Sequence, residues 1–343
     1  MEANNDKQKN LSVRLYALKA FAVLTVILAH SAYTSVQNAF IVRLLGALSS
    51  VGVVVFFVLS GYFYKNYDRG FLFFLKKKIL WLIVPWAFWG VATYAVNFLR
   101  KDFSFTFLNF LNYMIGNGSY LYFMTVLTVL FLICYFLYKF DVFNYVMICV
   151  TIASIIVTSL DLLPWLYPYL NIFNWVGFFS AGILAKKYDL LRRWLDAKLI
   201  LHICLLILSL AGWTLLLIFG KKAYNYYWFD LSLVNEISLF IVLIEISFLI
   251  PAIAAKMLVP IGKITLPVYL MHMPMISHVL TGSLSDNAVL AFIRPIVALA
   301  ICVCALYAVR FVCEKLHIDK VVCKIIGMPL KTEKEQVVSA ETP

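Results

Sequence analysis

Residues 18–31 read Leu-Lys-Ala-Phe-Ala-Val-Leu-Thr-Val-Ile-Leu-Ala-His-Ser, an apolar run with a cation, Lys19, near one end and an imidazole, His30, near the other. The ten residues between them carry no charge. On an α-helix this spacing comes close to three turns, so both side chains share one face, roughly 16 Å apart along the axis. Groups of this kind are costly to keep in lipid, and their presence inside an apolar span makes a functional site the default reading.

The rest of the chain fits a membrane setting. Of its 343 residues, 64% are hydrophobic and only 13% charged, with mean hydropathy +0.91. A soluble domain of this length lacks the polar cover to hide that much apolar side chain. Ten apolar segments are long enough to span or nearly so, at approximately 13–34, 41–64, 71–99, 120–139, 142–162, 169–187, 199–219, 231–251, 264–282 and 290–313. The fold class is therefore all-α, a polytopic membrane helical bundle of about ten transmembrane helices. The sequence divides into an N-terminal tail (1–10), a transmembrane domain (11–315) and a C-terminal tail (316–343) whose polar end, after Lys331, reads as disordered. The first apolar stretch reads as an uncleaved first helix.

The net charge of +12 belongs to this topology and not to nucleic acid. With the N-terminus inside, 22 of the 29 Lys and Arg fall on the cytoplasmic side, 6 fall outside, and Lys19 lies within the first span. That asymmetry predicts both termini inside. It places Lys19 toward the cytoplasm and His30 toward the outer face. The seven cysteines sit in or beside apolar segments without metal-ligand spacing and read as packing residues; no metal site is expected.

His30 suits proton transfer near neutral pH, although a lone intramembrane histidine can equally be a packing group; Lys19 on the same face favours function. In the second apolar segment, Gly52, Ser60 and Gly61 permit close helix approach. Lys76, Lys77 and Lys78 open the third, where a cationic cluster could hold phosphates, though positive-inside bias alone also accounts for it. His272 lies between Pro267 and Pro274 in a helix whose prolines free backbone carbonyls. It is either a site residue or a structural hydrogen-bonding group. His202 and His317 read as surface groups near the cytoplasmic interface. Glu236 and Glu245, nine positions apart, point to opposite sides of one helix, and either could pair with Lys19 or a histidine.

Five motifs in order resemble acyltransferase family 3, the membrane acyltransferases: Lys19 with His30, Gly52 to Tyr62, Lys76 to Trp86, Tyr120 to Met124, and Tyr269-Leu270-Met271-His272. The resemblance covers roughly residues 10–315. Val54 stands where the family often has Asp; members resembling the enterobacterial common antigen acetyltransferase and the intercellular-adhesin integral membrane protein also lack that Asp, and this chain most resembles their branch. Tyr122 stands where Trp is usual, and the basic run is all lysine, without the bidentate fork of arginine. The resemblance implies a multi-pass protein of a bacterial plasma membrane that transfers an acyl group, acetyl or succinyl, from acyl-CoA as co-substrate to a hydroxyl of a cell-surface or lipid-linked glycan. It implies no permanently bound cofactor. It assigns catalysis to His30, with Lys19 and His272 beside it, and donor binding to Lys76, Lys77 and Lys78. Two other classes stay open: a polysaccharide exporter, and a non-catalytic subunit of a polysaccharide synthesis complex.

Overall fold

The computed structural model describes residues 2–31, 39–65, 69–100, 106–162, 167–219, 232–275 and 288–330, which form helices and the turns joining them. In order these are α1 (Glu2–Ser31), α2 (Ala39–Tyr62), α3 (Phe71–Lys78), which continues through a π-turn at Ile79–Ile83 into α4 (Val84–Leu99), then α5 (Phe107–Ile115), α6 (Tyr122–Leu137) and α7 (Asp141–Ser159). There follow α8 (Val176–Lys187), α9 (Leu190–Leu195), α10 (Leu199–Phe219), α11 (Ser232–Leu249), α12 (Ala252–Lys263), α13 (Thr265–Met275), α14 (Ala288–Lys315) and α15 (Asp319–Ile326). The chain is an all-α polytopic membrane protein.

The centre is built on small residues. In α2, 78% of the apolar span is buried inside the protein, against 17% in the lipid-facing α7. Gly61 and Gly182 make the crossing of α2 and α8 backbone-to-backbone. A Cβ at Gly61 would lie 1.9 Å from the Phe179 carbonyl oxygen, and one at Gly182 would lie 1.9 Å from that of Val58. Gly52 does the same where α2 meets α1, beside the Ala22 carbonyl. In lipid there is no hydrophobic force between helices, so such close van der Waals approach is a main source of association. Around this axis α1 also packs against α11, α12, α13 and α14.

Among the described residues, seven helical segments are long and apolar enough to cross a membrane, and the bent pair α12–α13 passes the same test together, as a broken span or a re-entrant loop. The expected spans at 120–139 and 169–187 are shorter than a bilayer as helices, 16 and 12 residues in α6 and α8. The second is shortened because Asn171 and Asn174 hold the chain in a turn before α8. Asn174 binds Ser154, Thr158 and the Pro168 carbonyl, and the Asn171 side chain accepts the Phe173 amide.

The expected span at 264–282 begins at a bend and is described only as far as Met275. α12 and α13 meet at Ile264 with a 63° bend, and 276–282 lie outside the described residues. Pro267 has no amide hydrogen for the Lys263 carbonyl, so the helical ladder stops there. Gly262 lets the α1 backbone come close at the corner: its Cβ would lie 2.2 Å from the Tyr16 carbonyl oxygen.

Several buried polar groups find protein partners, as an apolar solvent favours. Arg14 donates to the Ser247 and Ile250 carbonyls, which α11 leaves open at its C-terminal end. Asn235 accepts from Trp213 and donates to Ser50 and the Ala47 carbonyl, tying α10 and α11 to α2. The reading of His202 as a surface group is overturned. It is buried, its Nδ1 lies 2.6 Å from a Glu245 carboxylate oxygen, and Trp194 donates to the other oxygen at 2.7 Å. Residues beyond 315 are also part of the fold: Cys323, Ile326 and Met328 are buried, and Trp89 donates to the Ile326 carbonyl. Lys221, Lys222, His278 and the tail from Lys331 lie outside the described residues.

Two outcomes follow from this packing. Gly61→Val forces α2 and α8 apart, so folded protein in detergent should fall severely, whereas Gly212→Ala, with only the Ser238 hydroxyl at 3.9 Å, should leave yield and Tm unchanged or slightly raised. His202→Leu strands a buried carboxylate and should cost about 3–5 kcal/mol, read as a large drop in thermal midpoint.

Candidate functional site

Pro274 has no amide hydrogen to give the Leu270 carbonyl one turn earlier, and the structure supplies another donor. The Tyr120 hydroxyl donates to Leu270 O at 2.9 Å. In return the Tyr269 hydroxyl donates to the Tyr120 carbonyl. This reciprocal clamp locks α13 against the turn that starts α6. Thr93 of α4 joins it, 3.4 Å from the Tyr120 hydroxyl.

The clamp sets His272. Its Nδ1 bonds the Tyr269 carbonyl, and since a carbonyl only accepts, the proton sits on Nδ1. The other nitrogen, Nε2, is then a bare lone pair, fully buried and with no hydrogen-bond partner among the described residues. The His30 ring lies beside it, with centroids 5.1 Å apart and planes at 47°. Two imidazoles joined by an N–H···N bond of about 2.9 Å have centroids about 5 Å apart, so the ring spacing is compatible with such a bond.

His30 opens onto a cavity of about 550 Å³. Six tyrosines line it (Tyr113, Tyr120, Tyr122, Tyr167, Tyr169 and Tyr269), together with Thr93, Asn97, Ser49 and Ser119. Tyr269 also walls a second cavity, of about 310 Å³, deeper along α1. That space is mostly apolar, lined by Phe56, Leu59, Phe63, Phe123, Leu127 and Phe131, but Lys19 and Lys78 both reach it. Both ammonium groups rest on ring faces there: Lys19 Nζ is 4.5 Å from the Phe63 centroid and Lys78 Nζ 3.2 Å from that of Phe131. Lys19, Trp81, Thr265 and Leu266 lead on into a third cavity, of about 1190 Å³, under the α12–α13 bend.

The sequence residues therefore separate into places. His30 and His272 come together. Lys19, on the same face of α1, opens onto different cavities from His30. Of the three lysines, Lys78 turns inward to join Lys19, while Lys76 and Lys77 are exposed and line none of these cavities. Position 54 is a buried valine, and Glu245 is committed to Trp194 and His202. Tyr120, Tyr122 and Tyr269 fall in motifs read from the sequence but were given no site role, and Tyr113, Tyr167 and Tyr169 were not singled out; the clustering at 113–122 and 167–169 was the available signal.

A family model for an acyltransferase domain matches residues 13–309. The chain belongs to acyltransferase family 3. No curated protein and no solved structure matches it. The matched segment runs from α1 to α14, so it contains His30, His272 and both lysines of the middle cavity. The protein is a multi-pass membrane acyltransferase. Tyr120→Phe leaves the Leu270 carbonyl without its donor; stability should fall by about 1–3 kcal/mol, seen in thermal unfolding, and acyl transfer should fall with it as His272 loses its fixed position.

Proposed function

We propose that the protein is a membrane O-acyltransferase that moves an acetyl or succinyl group from acyl-CoA, bound from the cytoplasm, to a hydroxyl of a cell-surface or lipid-linked glycan at the outer cavity. The observation that carries this reading is His30, backed by the buried His272, on a tyrosine-lined cavity that shares its Tyr269 wall with a space lined by Lys19 and Lys78. The charge asymmetry supports an orientation with both termini inside, the third cavity toward the cytoplasm and the outer cavity away from it. A tyrosine-rich wall suits a sugar, whose rings offer C–H faces for stacking and hydroxyls for hydrogen bonding.

In this reading His30 is the general base. With its N–H held by His272 Nε2, its second nitrogen is left unprotonated toward the cavity. There it takes the proton of the acceptor hydroxyl as the oxygen attacks the thioester carbonyl. The new C–O bond forms as the C–S bond breaks, and the proton passes from His30 to the departing coenzyme A thiolate. His272 is the positioning residue: it does for His30 what a carboxylate does in other histidine bases. It also stabilises the imidazolium by accepting its N–H. Lys19 and Lys78, apart from His30, belong to the donor. The acceptor machinery of a polysaccharide pathway is the expected partner.

The test is acyl transfer by purified protein. His30→Ala should lower kcat by about 10²–10⁴-fold with the KM for acyl donor little changed. His272→Ala should lower kcat by a smaller factor and shift the acidic limb of the kcat–pH profile, because the base it orients has changed. Transfer at the wild-type rate by His30→Ala would exclude His30 as the base.

A further inference from the structure

The donor's phosphates need a cationic seat, and of the lysine run only Lys78 lines a cavity, while Lys76 and Lys77 line none of the three. We infer that the third cavity, under the α12–α13 bend, is a seat for the phosphorylated nucleotide of the donor, with Lys263 and Arg310 as its phosphate-binding residues. This rests on the acyl-CoA reading above and adds where that donor is held.

Size, charge and connection all point to the same place. The cavity, at about 1190 Å³, is the largest of the three. Lys19, Lys263 and Arg310 line it against a single carboxylate, Glu314, which accepts from Arg310 Nε at 2.9 Å. The Arg310 side chain keeps only 14% of its exposure, so its guanidinium is held at the wall and not free in solvent. Such a preset planar group pairs well with phosphate oxygens. The Tyr16 and Tyr307 rings offer flat walls for a purine, and the Tyr307 hydroxyl is anchored on the Pro260 carbonyl at 3.1 Å.

The route onward fits the rest of the same ligand. Lys19, Trp81, Thr265 and Leu266 are shared with the narrow middle cavity, whose mostly apolar walls suit a thin pantetheine arm. Tyr269 is shared between that cavity and the one that holds His30. A nucleotide anchored on Lys263 and Arg310 thus points its thioester along α1 toward His30.

The experiment measures coenzyme A binding to the full chain in nanodiscs of phosphatidylcholine, with adenosine 3′,5′-bisphosphate as competitor. Lys263→Ala and Arg310→Ala should each weaken coenzyme A by about tenfold, and the competitor in parallel. Lys76→Ala and Lys77→Ala should stay within twofold of wild type. Glu314→Gln should strengthen binding a few-fold, a gain that misfolding cannot produce. Wild-type affinity in both Lys263→Ala and Arg310→Ala overturns the seat while leaving the acyltransferase reading intact. A wild-type protein that binds no coenzyme A overturns both. Displacement of coenzyme A by added phosphatidylglycerol assigns the cavity to an anionic lipid headgroup and likewise overturns the seat.

Discussion

The hydrogen bond between His272 Nδ1 and the Tyr269 carbonyl is small in energy but decides what the site can do. It puts the ring proton on one nitrogen and leaves the other as a buried lone pair beside His30. The bond exists because α13 is held rigid at that height. Pro274 opens the Leu270 carbonyl, Tyr120 fills it, and Tyr269 returns the contact to the Tyr120 backbone. In water, solvent would satisfy each of these groups, and none would define a ring position. Inside a bilayer the same groups must find one another, and the requirement that burdens stability also pre-organises the site.

That clamp depends in turn on how closely the central helices pack. α1 carries both Lys19 and His30, and its position is set by Gly52 on α2 and Gly262 on α12. The α12–α13 bend carries His272 up to His30 while opening the broad cavity beneath. One helix, α1, thereby borders three neighbouring cavities of different character, which share wall residues: large and basic, mostly apolar, then tyrosine-lined. The spacing of Lys19 and His30 matches that division. One residue serves the lower spaces and the other the upper.

Much of this was legible in the sequence, and what was not has physical reasons. Apolar runs marked the membrane helices, because length and hydropathy are local properties. The partnership of His30 with His272 was not legible, since 242 positions separate them and only the fold juxtaposes them. The lysine run was read as a unit, but successive helical residues point 100° apart, so Lys78 faces inward while Lys76 and Lys77 face out. His202 was assigned to the surface from its place near a helix start. Glu245, 43 residues later, supplies the reason it is buried. The bend at Ile264 was not read from the sequence, because it reflects Pro267 together with the glycine contact to Tyr16, which no local pattern reveals.

The most direct test of the account is a structure of the protein with a hydrolysis-resistant acyl-CoA analogue. The account predicts the acyl carbonyl at the Tyr269 wall within reach of His30, with the arm passing Lys19 through the narrow cavity. An acyl group lodged elsewhere, with the cavity at His30 left empty, would contradict it.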